Sequence, residues 1–331
     1  MKPYLVDVPV RINIWIRPEC QKKQWEVIKK ARPSILFIQS DGGRNKKEWE
    51  AIRENRKLID EGLDWECQVY KIYENKNNGL YAMGKKVTEV IWNTVEYCIF
   101  LEDDLIPSVS YFAFCKELLE RYKDDQRIEC ICGMNHLGKY LEPHADYFFA
   151  RQGSIWGVAT WKRVTENRTF EYGKDTYVMK LLRQRTKHNE IAWKRLNGYL
   201  KQKKYEGHVP GSEFWYEFDM YAQNKLQIIP KVNMISNIGA TENSEHAAEL
   251  KLLPKGIRRV FNMPTYEIEL PMIHTNYVIP DIEYEAKRNR IMGYNCPLIS
   301  FYRKIARFLL LIKHGKMKEA VNRVFIIRNE K

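Results

Sequence analysis

A chain of 331 residues can bury a large core, and a content of 44% hydrophobic and 13% aromatic residues excludes a disordered or low-complexity protein. The formal net charge is +13, but residues 301–331 alone hold nine Lys and Arg against two Glu, which argues against a nucleic-acid-binding surface spread over the chain. The longest aliphatic run, FLLLI at 308–312, is far shorter than the roughly 20 residues that a membrane-spanning helix needs.

The first residues, MKPYLVDVPVRINIWIRPE, carry acidic and arginine side chains where a signal peptide has its apolar centre. We therefore expect a cytoplasmic protein. The seven cysteines are scattered along the chain, which favours reduced thiols over a disulfide framework or a zinc site.

Up to about residue 135, short apolar runs alternate with helical patterns, which is typical of βαβ units. The pattern predicts an α/β fold with a mostly parallel, Rossmann-like sheet and helices on both faces. Strands are predicted at 10–16, 35–40, 66–73, 97–101 and 128–133. Helices are predicted at 18–31, 46–59, 80–92 and 110–122, the last with Ser108 as its N-cap.

Beyond residue 150 the strand pattern fades into aromatic-rich helical segments and loops. We predict one domain over residues 1–280, made of two halves at 1–135 and 136–280. A change of composition near 280–295 predicts a basic, amphipathic, helical C-terminal tail over 281–331.

Three predicted strands are followed by polar groups: Arg17 after the first, Asp41 after the second and Glu102-Asp103-Asp104 after the fourth. Ligands of open α/β sheets bind beyond the carboxyl ends of the strands, so we expect these groups to converge. Consecutive carboxylates at the end of an apolar strand repel one another unless water or a cation neutralises them. A solvated acidic turn is one interpretation, and a site for Mg²⁺ or Mn²⁺ is the one that the apolar strand before it favours.

Five short motifs occur in an order that resembles the A-type (GT-A) nucleotide-sugar glycosyltransferase fold: IRPE at 16–19, FIQSDGG at 37–43, ENKNNGL at 74–80, FLEDD at 100–104 and SIWGVATWKR at 154–163. The similarity is greatest to bacterial capsule and lipopolysaccharide transferases with a WGWATW-like element. It is more distant to the N-acetylglucosaminyltransferase that starts complex N-glycan branching.

The resemblance implies a metal-dependent, inverting hexosyl- or N-acetylhexosaminyltransferase of polysaccharide biosynthesis. Its donor is a nucleotide-diphosphate-sugar, with UDP favoured, and its acceptor is a glycan or a lipid-linked oligosaccharide. Residues 1–135 would then be the nucleotide-binding half and 136–280 the acceptor half. Mn²⁺ or Mg²⁺ would be the cofactor, and nucleic acid is not an expected partner.

The same resemblance assigns roles on the donor side. Asp104 is the implied direct ligand of the metal, with Asp103 and Glu102 towards the ribose and sugar. Asp41 matches the acid that accepts a hydrogen bond from the nucleobase, whereas a helix-capping turn is its alternative. Arg17 matches a residue beside the diphosphate, where a guanidinium suits phosphate oxygens, and a surface charge is its alternative.

Further family positions fall on the second half and on the donor-side loop. Trp156 and Gly157 match the WGWATW-like element, where Trp156 is either a wall of the sugar site or part of the core. Asn78-Gly79 and Lys85 occupy the donor-side loop. His246 falls on a family histidine that contacts the metal or the diphosphate, and a solvated loop residue is its alternative.

An inverting transferase also needs a base for the acceptor hydroxyl. The family register places Glu213 at the position of an Asp, and the longer side chain moves the carboxylate by about 1.5 Å. Glu217, one helical turn further, is the substitute, and Asp219 is a weaker candidate.

Two other enzyme classes share single features with this sequence. Residues 79–86, GLYAMGKK, match GxxxxGK, but Lys86 stands where a P-loop needs Ser or Thr, and polar ENKNN lies directly before the motif where a strand is required, so an ATPase is rejected. A sugar-phosphate nucleotidyltransferase stays open as an alternative, although the first strand end lacks a Gly-rich phosphate loop. A non-enzymatic basic module that binds nucleic acid or membrane is the third reading.

The tail places Phe301, Ile305, Phe308 and Ile312 at helical spacing beneath a basic face. This pattern suits a helix that lies on an anionic membrane surface, at the inner face of the plasma membrane. A helix packed on the domain is the alternative.

Overall fold

The computed structural model describes residues 1–167, 175–185, 193, 220–240, 250–294 and 296–322. In this part of the chain a large mixed sheet carries helices on both faces, so the protein has an α/β architecture. The described strands are β1 (Val6–Ile14), β2 (Pro33–Ser40), β3 (Gln68–Tyr73), β4 (Tyr97–Leu101), β5 (Leu105–Pro107), β6 (Ile128–Cys132), β7 (Tyr147–Ala150), β8 (Val158–Trp161), β9 (Leu226–Pro230) and β10 (Ile235–Asn237).

The helices have the following bounds: α1 (Pro18–Ala31), α2 (Lys46–Gly62), α3 (Leu80–Trp92), α4 (Ser110–Arg121), α5 (Lys162–Glu166), α6 (Thr176–Arg185), α7 (Met220–Gln223), α8 (Lys255–Arg258), α9 (Ile282–Met292) and α10 (Pro297–Lys313). A 3₁₀ turn lies at Leu250–Leu252.

The eight strands of the sheet are ordered β3-β2-β1-β4-β8-β6-β9-β7. β1 is parallel to β2 and to β4, and β2 is parallel to β3, so the first four strands form a parallel half. β8 is antiparallel to both β4 and β6, and β7 is antiparallel to β9. β6 is parallel to β9, so the second half is mixed, whereas the expected parallel arrangement describes the first half. A separate ribbon pairs β5 with β10.

Alternation along β1 separates the two faces of the parallel half. Val8, Val10, Ile12 and Ile14 are fully buried and share a core cluster with residues of α1 and α4. Arg11 lies on the other face, where its Nε and Nη2 donate to Gln39 Oε1 at 3.0 and 2.7 Å. On that second face α3 forms a separate cluster with side chains of β2 and β4. The period of two thus places helices on both sides of the sheet.

Several predicted boundaries differ from the observed ones. The first strand runs over Val6–Ile14 rather than 10–16, because it pairs with β2 from its first residue. The strands β7, β8, β9 and β10 were not predicted. They are three to five residues long, and β7, β8 and β9 are buried at every position, so they show no alternation that distinguishes a strand from other apolar segments.

The predicted N-cap of α4 was wrong. Ser108 makes no side-chain cap, and the N-cap position is Val109. The N–H groups of Val109 and Ser110 instead donate to the carboxylate of Glu267 at 3.0 and 2.6 Å. A residue distant in sequence thus satisfies the first donors of the helix.

All seven cysteines are free thiols, and five of them are buried. Burial raises the pKa of the Cys20 thiol to about 11 and that of Cys67 to about 12. Both thiols are therefore protonated at neutral pH.

The segment after residue 280 begins with a helix that belongs to the core. Tyr284 of α9 is fully buried, and its ring lies 4.7 Å from that of Phe148 and 5.7 Å from that of Tyr140. The predicted boundary at residue 281 therefore lies directly before a helix that packs on the sheet. No described helix is both long enough and apolar enough to cross a bilayer.

Candidate functional site

Glu102, Asp103 and Asp104, which we call the acidic turn, directly follow the buried strand β4. Helix α1 holds the backbone of this turn. Gln24, which is fully buried, donates from Nε2 to the carbonyl oxygens of Glu102 and Leu105 at 2.5 and 2.8 Å. From the other side, the N–H of Ile238 donates to the carbonyl oxygen of Asp104 at 3.0 Å. Because these bonds fix the backbone, the directions of the acidic side chains are set by the fold.

Arg17, at the N-cap position of α1, makes ion pairs with two of the three acids. Its Nη2 lies 2.5 Å from Asp103 Oδ1, its Nε lies 3.0 Å from Asp103 Oδ2, and its Nη1 lies 3.0 Å from Asp104 Oδ2. The bidentate geometry with Asp103 is the strong form of this interaction. Burial opposes the charge on Arg17, but Asp103 and Asp104 outweigh it and raise the pKa of the guanidinium above its usual value.

The side chains at this turn differ in exposure. Asp103 and Asp104 are buried, whereas Glu102 is exposed. Oδ1 of Asp104 is also buried and has no hydrogen-bond partner in the part of the chain that the structure describes. An orphaned buried carboxylate oxygen is unfavourable unless a donor or a cation reaches it.

This donor set fits a hard divalent cation that keeps most of its ligands as water and phosphate oxygens. Mg²⁺ is usually bound through one or two carboxylates together with substrate phosphates, and Asp104 and Asp103 supply two. Among the described residues, no cluster of three or more His, Cys, Asp or Glu side chains could hold a metal ion by itself.

Gly239, just after β10, allows the chain to pass against the acidic turn. A Cβ atom at this position would lie 1.8 Å from Asp104 Oδ2 and 2.7 Å from Arg17 Nη1. Only a residue without a side chain fits there, so the ion pair and the loop after β10 are packed against each other.

Asp41, at the end of β2, is held in a second cluster. Its Oδ1 accepts from the N–H groups of Gly42 and Asn78 and from Asn78 Nδ2, at 2.9 to 3.2 Å. Its Oδ2 accepts from the N–H groups of Asn78 and Gly79 at 3.0 and 2.9 Å. The carboxylate therefore fixes the loop before α3, where Gly79 has a φ of 83° that favours glycine.

The two clusters lie at the same edge of the sheet, because β1, β2 and β4 are parallel neighbours. The loops after β1 and β2 also touch. Asn55 of α2 donates to the carbonyl oxygen of Trp15 at 2.6 Å, and the Arg44 guanidinium lies 5.7 Å from the centroid of the Trp15 ring. Arg17 is in direct contact with Asp103 and Asp104. Asp41 belongs to the loop after β2, which lies beside the loop after β1.

The segment that resembles the WGWATW-like element packs in part against the core. Gly157 precedes β8 with a φ of 65°, and a Cβ there would lie 2.6 Å from Ile235. Trp156 is half-buried and its ring lies 5.0 Å from that of Phe261, while Trp161 is buried and donates to the carbonyl oxygen of Leu119 at 3.0 Å. Val158, where the family has its second Trp, is the first residue of β8.

Lys85 and the GxxxxGK match lie on helix α3. Lys85 is exposed and pairs with Glu89 at 3.9 Å, one turn along the same helix. Lys86 pairs with Glu74, which follows β3. Neither lysine contacts the acidic turn.

Four candidate residues lie outside the described residues: Glu213, Glu217, Asp219 and His246. Their roles as acceptor base and metal ligand stay predictions. The chain enters the segment with His246 directly after Gly239 and Ala240, which are described and lie beside the acidic turn.

Sequence reasoning missed two residues that position the site. Gln24 holds the acidic turn, and Arg56 donates to the carbonyl oxygens of Ser40, Asp41 and Glu74 at 3.0, 3.3 and 2.9 Å, which joins the ends of β2 and β3. Gln24 had a signal in the sequence, because it lies on the apolar side of α1 next to Trp25 and Ile28. For Arg56 no comparable signal exists.

No protein-family model and no curated protein matches the chain. Among solved structures, it is similar to A197 from STIV at 8% identity and a TM-score of 0.25, over 51% of this chain and 69% of that one. It is also similar to a glycosyltransferase involved in the glycosylation of the major capsid of PBCV-1, at 10% identity and a TM-score of 0.22, over 68% of this chain and 92% of that one. TM-scores this low do not assign a family, a fold or an activity to this chain.

Proposed function

We propose that this protein is a metal-dependent, inverting glycosyltransferase. It would move a sugar from a nucleotide-diphosphate-sugar, with UDP favoured, to a hydroxyl of a glycan or a lipid-linked oligosaccharide. One observation carries the proposal. Arg17, after β1, and Asp103 and Asp104, after β4, meet at the carboxyl ends of neighbouring parallel strands.

This arrangement suits a diphosphate for two chemical reasons. Asp103 and Asp104 would hold a divalent cation, which would supply positive charge beside the diphosphate, and Asp104 Oδ1 has no hydrogen-bond partner among the described residues. A guanidinium that is charged at every physiological pH can bind the same phosphates in a bidentate manner. When bound, the cation would supply positive charge for the leaving diphosphate.

Arg17 would have two partners in turn. Without a ligand, its guanidinium neutralises Asp103 and Asp104, which otherwise repel each other in a buried place. When the nucleotide-sugar is bound, the cation would neutralise the carboxylates of Asp103 and Asp104. Arg17 could then donate some of its N–H hydrogen bonds to the diphosphate. Arg17 therefore acts as a binding residue that also keeps the empty site folded.

The proposed role of Asp41 is narrower than its role in the family. Its two oxygens already accept five hydrogen bonds from residues 42, 78 and 79. A carboxylate offers about four lone-pair directions, so a nucleobase N–H would have to share one of them. We propose that Asp41 chiefly fixes the loop that bounds the nucleotide, and that base recognition is shared with that loop.

Glu213 is the proposed acceptor base, with Glu217 as its substitute. The base takes the proton of the acceptor hydroxyl while the hydroxyl oxygen attacks the anomeric carbon. The bond from that carbon to the diphosphate oxygen breaks, and the nucleoside diphosphate leaves with the bonding electron pair. Trp156 and Gly157 stay proposed neighbours of the sugar, and Gly79 and Lys85 proposed neighbours of the donor. His246 is proposed to lie near the metal or the diphosphate.

A product assay tests the proposal. Purified protein is incubated with UDP-, GDP- and dTDP-sugars and Mn²⁺, and the released phosphate compounds are separated. Release of a nucleoside diphosphate, abolished by Asp104→Asn, supports glycosyl transfer or donor hydrolysis. A parallel incubation contains nucleoside triphosphates and sugar 1-phosphates in place of the nucleotide-sugars, and release of pyrophosphate there would instead identify a nucleotidyltransferase.

A further inference from the structure

Helix α10 has one side that is anchored to the rest of the protein. Leu311 is buried in a small cluster with Leu252 and Ala320, and Phe308 and Ile312 pack against the same cluster. Phe308 and Ile312 were predicted to share the outward face with Phe301 and Ile305. They do not, because the 3₁₀ turn at Leu250–Leu252 covers them.

Along α10, next to these anchored residues, a row of large apolar side chains is exposed to solvent. Their exposed fractions lie between 44% and 80%, which is far more than scattered surface residues of a helix usually show as a group. The row consists of Leu298, Phe301, Tyr302, Ile305 and Leu309. Their spacing of three, four and seven residues places all five on one stripe about 100° wide. We call these five residues the outer row.

Positive charge surrounds the outer row. Residues 296–322 contain six Lys and Arg against a single acidic residue, Glu319. Lys304 and Lys313 are exposed on α10 itself, and Lys318 is exposed just beyond it. Arg303 is directed inwards, where its Nη2 donates to the carbonyl oxygen of Ile291. The helix is therefore fixed to the body on one side, while an apolar stripe with exposed lysines around it faces outwards.

We infer that the outer row is a membrane-binding face that inserts between the headgroups of an anionic phospholipid bilayer. An interfacial helix needs an apolar stripe to bury among the acyl chains and basic residues to meet the phosphates, and α10 has both. A second copy of the chain suits this face less, because a two-fold contact would bring the lysines of one copy against those of the other. Nucleic acid would leave the apolar stripe unburied.

This inference does not depend on the proposed function. If both hold, the bilayer face would bring the sheet close to an acceptor carried by a lipid. The two ideas fail separately, since flotation with vesicles measures only the face and the product assay measures only the chemistry.

Flotation of the full chain with vesicles tests the inference. The wild-type protein should float with vesicles of phosphatidylcholine and phosphatidylglycerol and stay behind with phosphatidylcholine alone. The double variant Phe301→Ser/Ile305→Ser should bind the anionic vesicles at least about tenfold more weakly, because two of the inserting side chains are lost. Lys304→Glu/Lys313→Glu should weaken binding by about tenfold or more and should lower its salt dependence.

The matched control is Leu141→Ser/Tyr277→Ser, which removes two apolar side chains of 66% and 71% exposure outside α10 and should bind like the wild type. Thermal melting by circular dichroism checks that each variant is folded. Unchanged flotation of the Phe301→Ser/Ile305→Ser variant would overturn the inference. Equal binding to neutral vesicles would do the same, and so would a wild-type dimer that this variant converts to monomer without any vesicle binding.

Discussion

Arg17, Asp103 and Asp104 are three charged residues that share a place with little access to water. Their side chains are 13%, 4% and 11% exposed. Moving such groups out of water is unfavourable for each of them alone, and only their mutual geometry offsets this. The arrangement is typical of a site that must present charge to a ligand rather than of one that only adds stability.

Removal of the Arg17 side chain should lower the stability of the protein. Arg17→Ala leaves two buried carboxylates without their partner, so we expect a loss of about 3 kcal/mol in the free energy of unfolding. Mn²⁺ should restore part of the loss, because the acids can then take the cation instead. Urea denaturation with and without Mn²⁺ measures both effects.

The control is Arg127→Ala, which removes an ion pair with Asp125 from an exposed position, 60% accessible for the arginine. This change should lower stability by less than about 1 kcal/mol and should not respond to Mn²⁺. A stable Arg17→Ala variant that is indifferent to Mn²⁺ would contradict the account of the acidic turn.

Gly239 offers a second test of the same contact. Gly239→Ala would place a methyl group 1.8 Å from Asp104 Oδ2, so the ion pair or the loop must move. We expect a loss of about 1 to 3 kcal/mol and weaker binding of UDP with Mn²⁺. Denaturation and titration calorimetry measure the two consequences.

Gly84→Ala is the matched control, because a Cβ at this position of α3 has no atom within 4 Å. Since alanine is the better helix former, this variant should be as stable as the wild type or more stable by up to about 1 kcal/mol. Equal behaviour of the two alanine variants would show that Gly239 does not support the site.

At this scale the sequence indicated Arg17 and the acids, because charged residues directly after apolar strands are conspicuous. It did not indicate that both carboxylate oxygens of Asp41 would accept hydrogen bonds from Gly42, Asn78 and Gly79. That outcome depends on the path of residues 76–79, and no local pattern encodes this path. The hydrogen bonds from Gln24 to the backbone of the acidic turn had only a weak signal in the sequence, which is a glutamine on the buried side of an amphipathic helix.

Among the elements, α1 to α4 and the strands between them were largely predictable. The strands β1 to β4 are five to nine residues long, and the predicted bounds of α1, α3 and β4 match the observed ones. The strand β5, which lies between β4 and α4 and has three residues, was not predicted. The later strands were missed because they are short and buried throughout. β8 also joins strands that are distant in sequence, and a pairing of that kind leaves no local trace.

The start of α4 gives a prediction at this scale. Burial tends to raise the pKa of Glu267, but the side chain of Ser110 and the N–H groups of Ser110 and Val109 outweigh this and hold the pKa below its usual value. A carboxyl whose folded pKa is lowered stabilises above its unfolded pKa, about 4.3, and loses this contribution as the pH falls through the folded value. Glu267→Gln should therefore be less stable than the wild type by about 1 kcal/mol at pH 7.

The difference between Glu267→Gln and the wild type should vanish at acidic pH, where the wild-type carboxyl is neutral as well. Denaturation at pH 7 and near pH 3 measures it. Glu269→Gln, two residues further and exposed, is the control and should change little at either pH. A constant difference across the pH range would mean that the carboxylate charge is not what caps the helix.

In the whole molecule, the parallel half of the sheet carries the candidate site, and helix α9 packs against the mixed half. The ring of Tyr284 packs against Phe148 of β7 and Tyr140, so α9 and the mixed half of the sheet share a core cluster. The division into a domain and a tail was inferred from composition, which does not report packing. A single tyrosine with a buried ring cannot be distinguished from a surface tyrosine by composition alone.

Tyr284→Ala should therefore destabilise the protein by about 3 to 5 kcal/mol, as expected when a fully buried aromatic ring is removed. Tyr277→Ala, at a position that is 71% exposed, should cost less than about 0.5 kcal/mol. Urea denaturation compares the two. Equal stability of both variants would mean that α9 does not belong to the folded core.

The most direct measurement is calorimetric titration of the full-length protein with UDP, with and without Mn²⁺. We predict saturable binding that requires Mn²⁺ and is lost in Asp104→Asn, because the cation would join the carboxylates of the acidic turn to the diphosphate. Binding of equal affinity without Mn²⁺, or undiminished binding by Asp104→Asn, would contradict it.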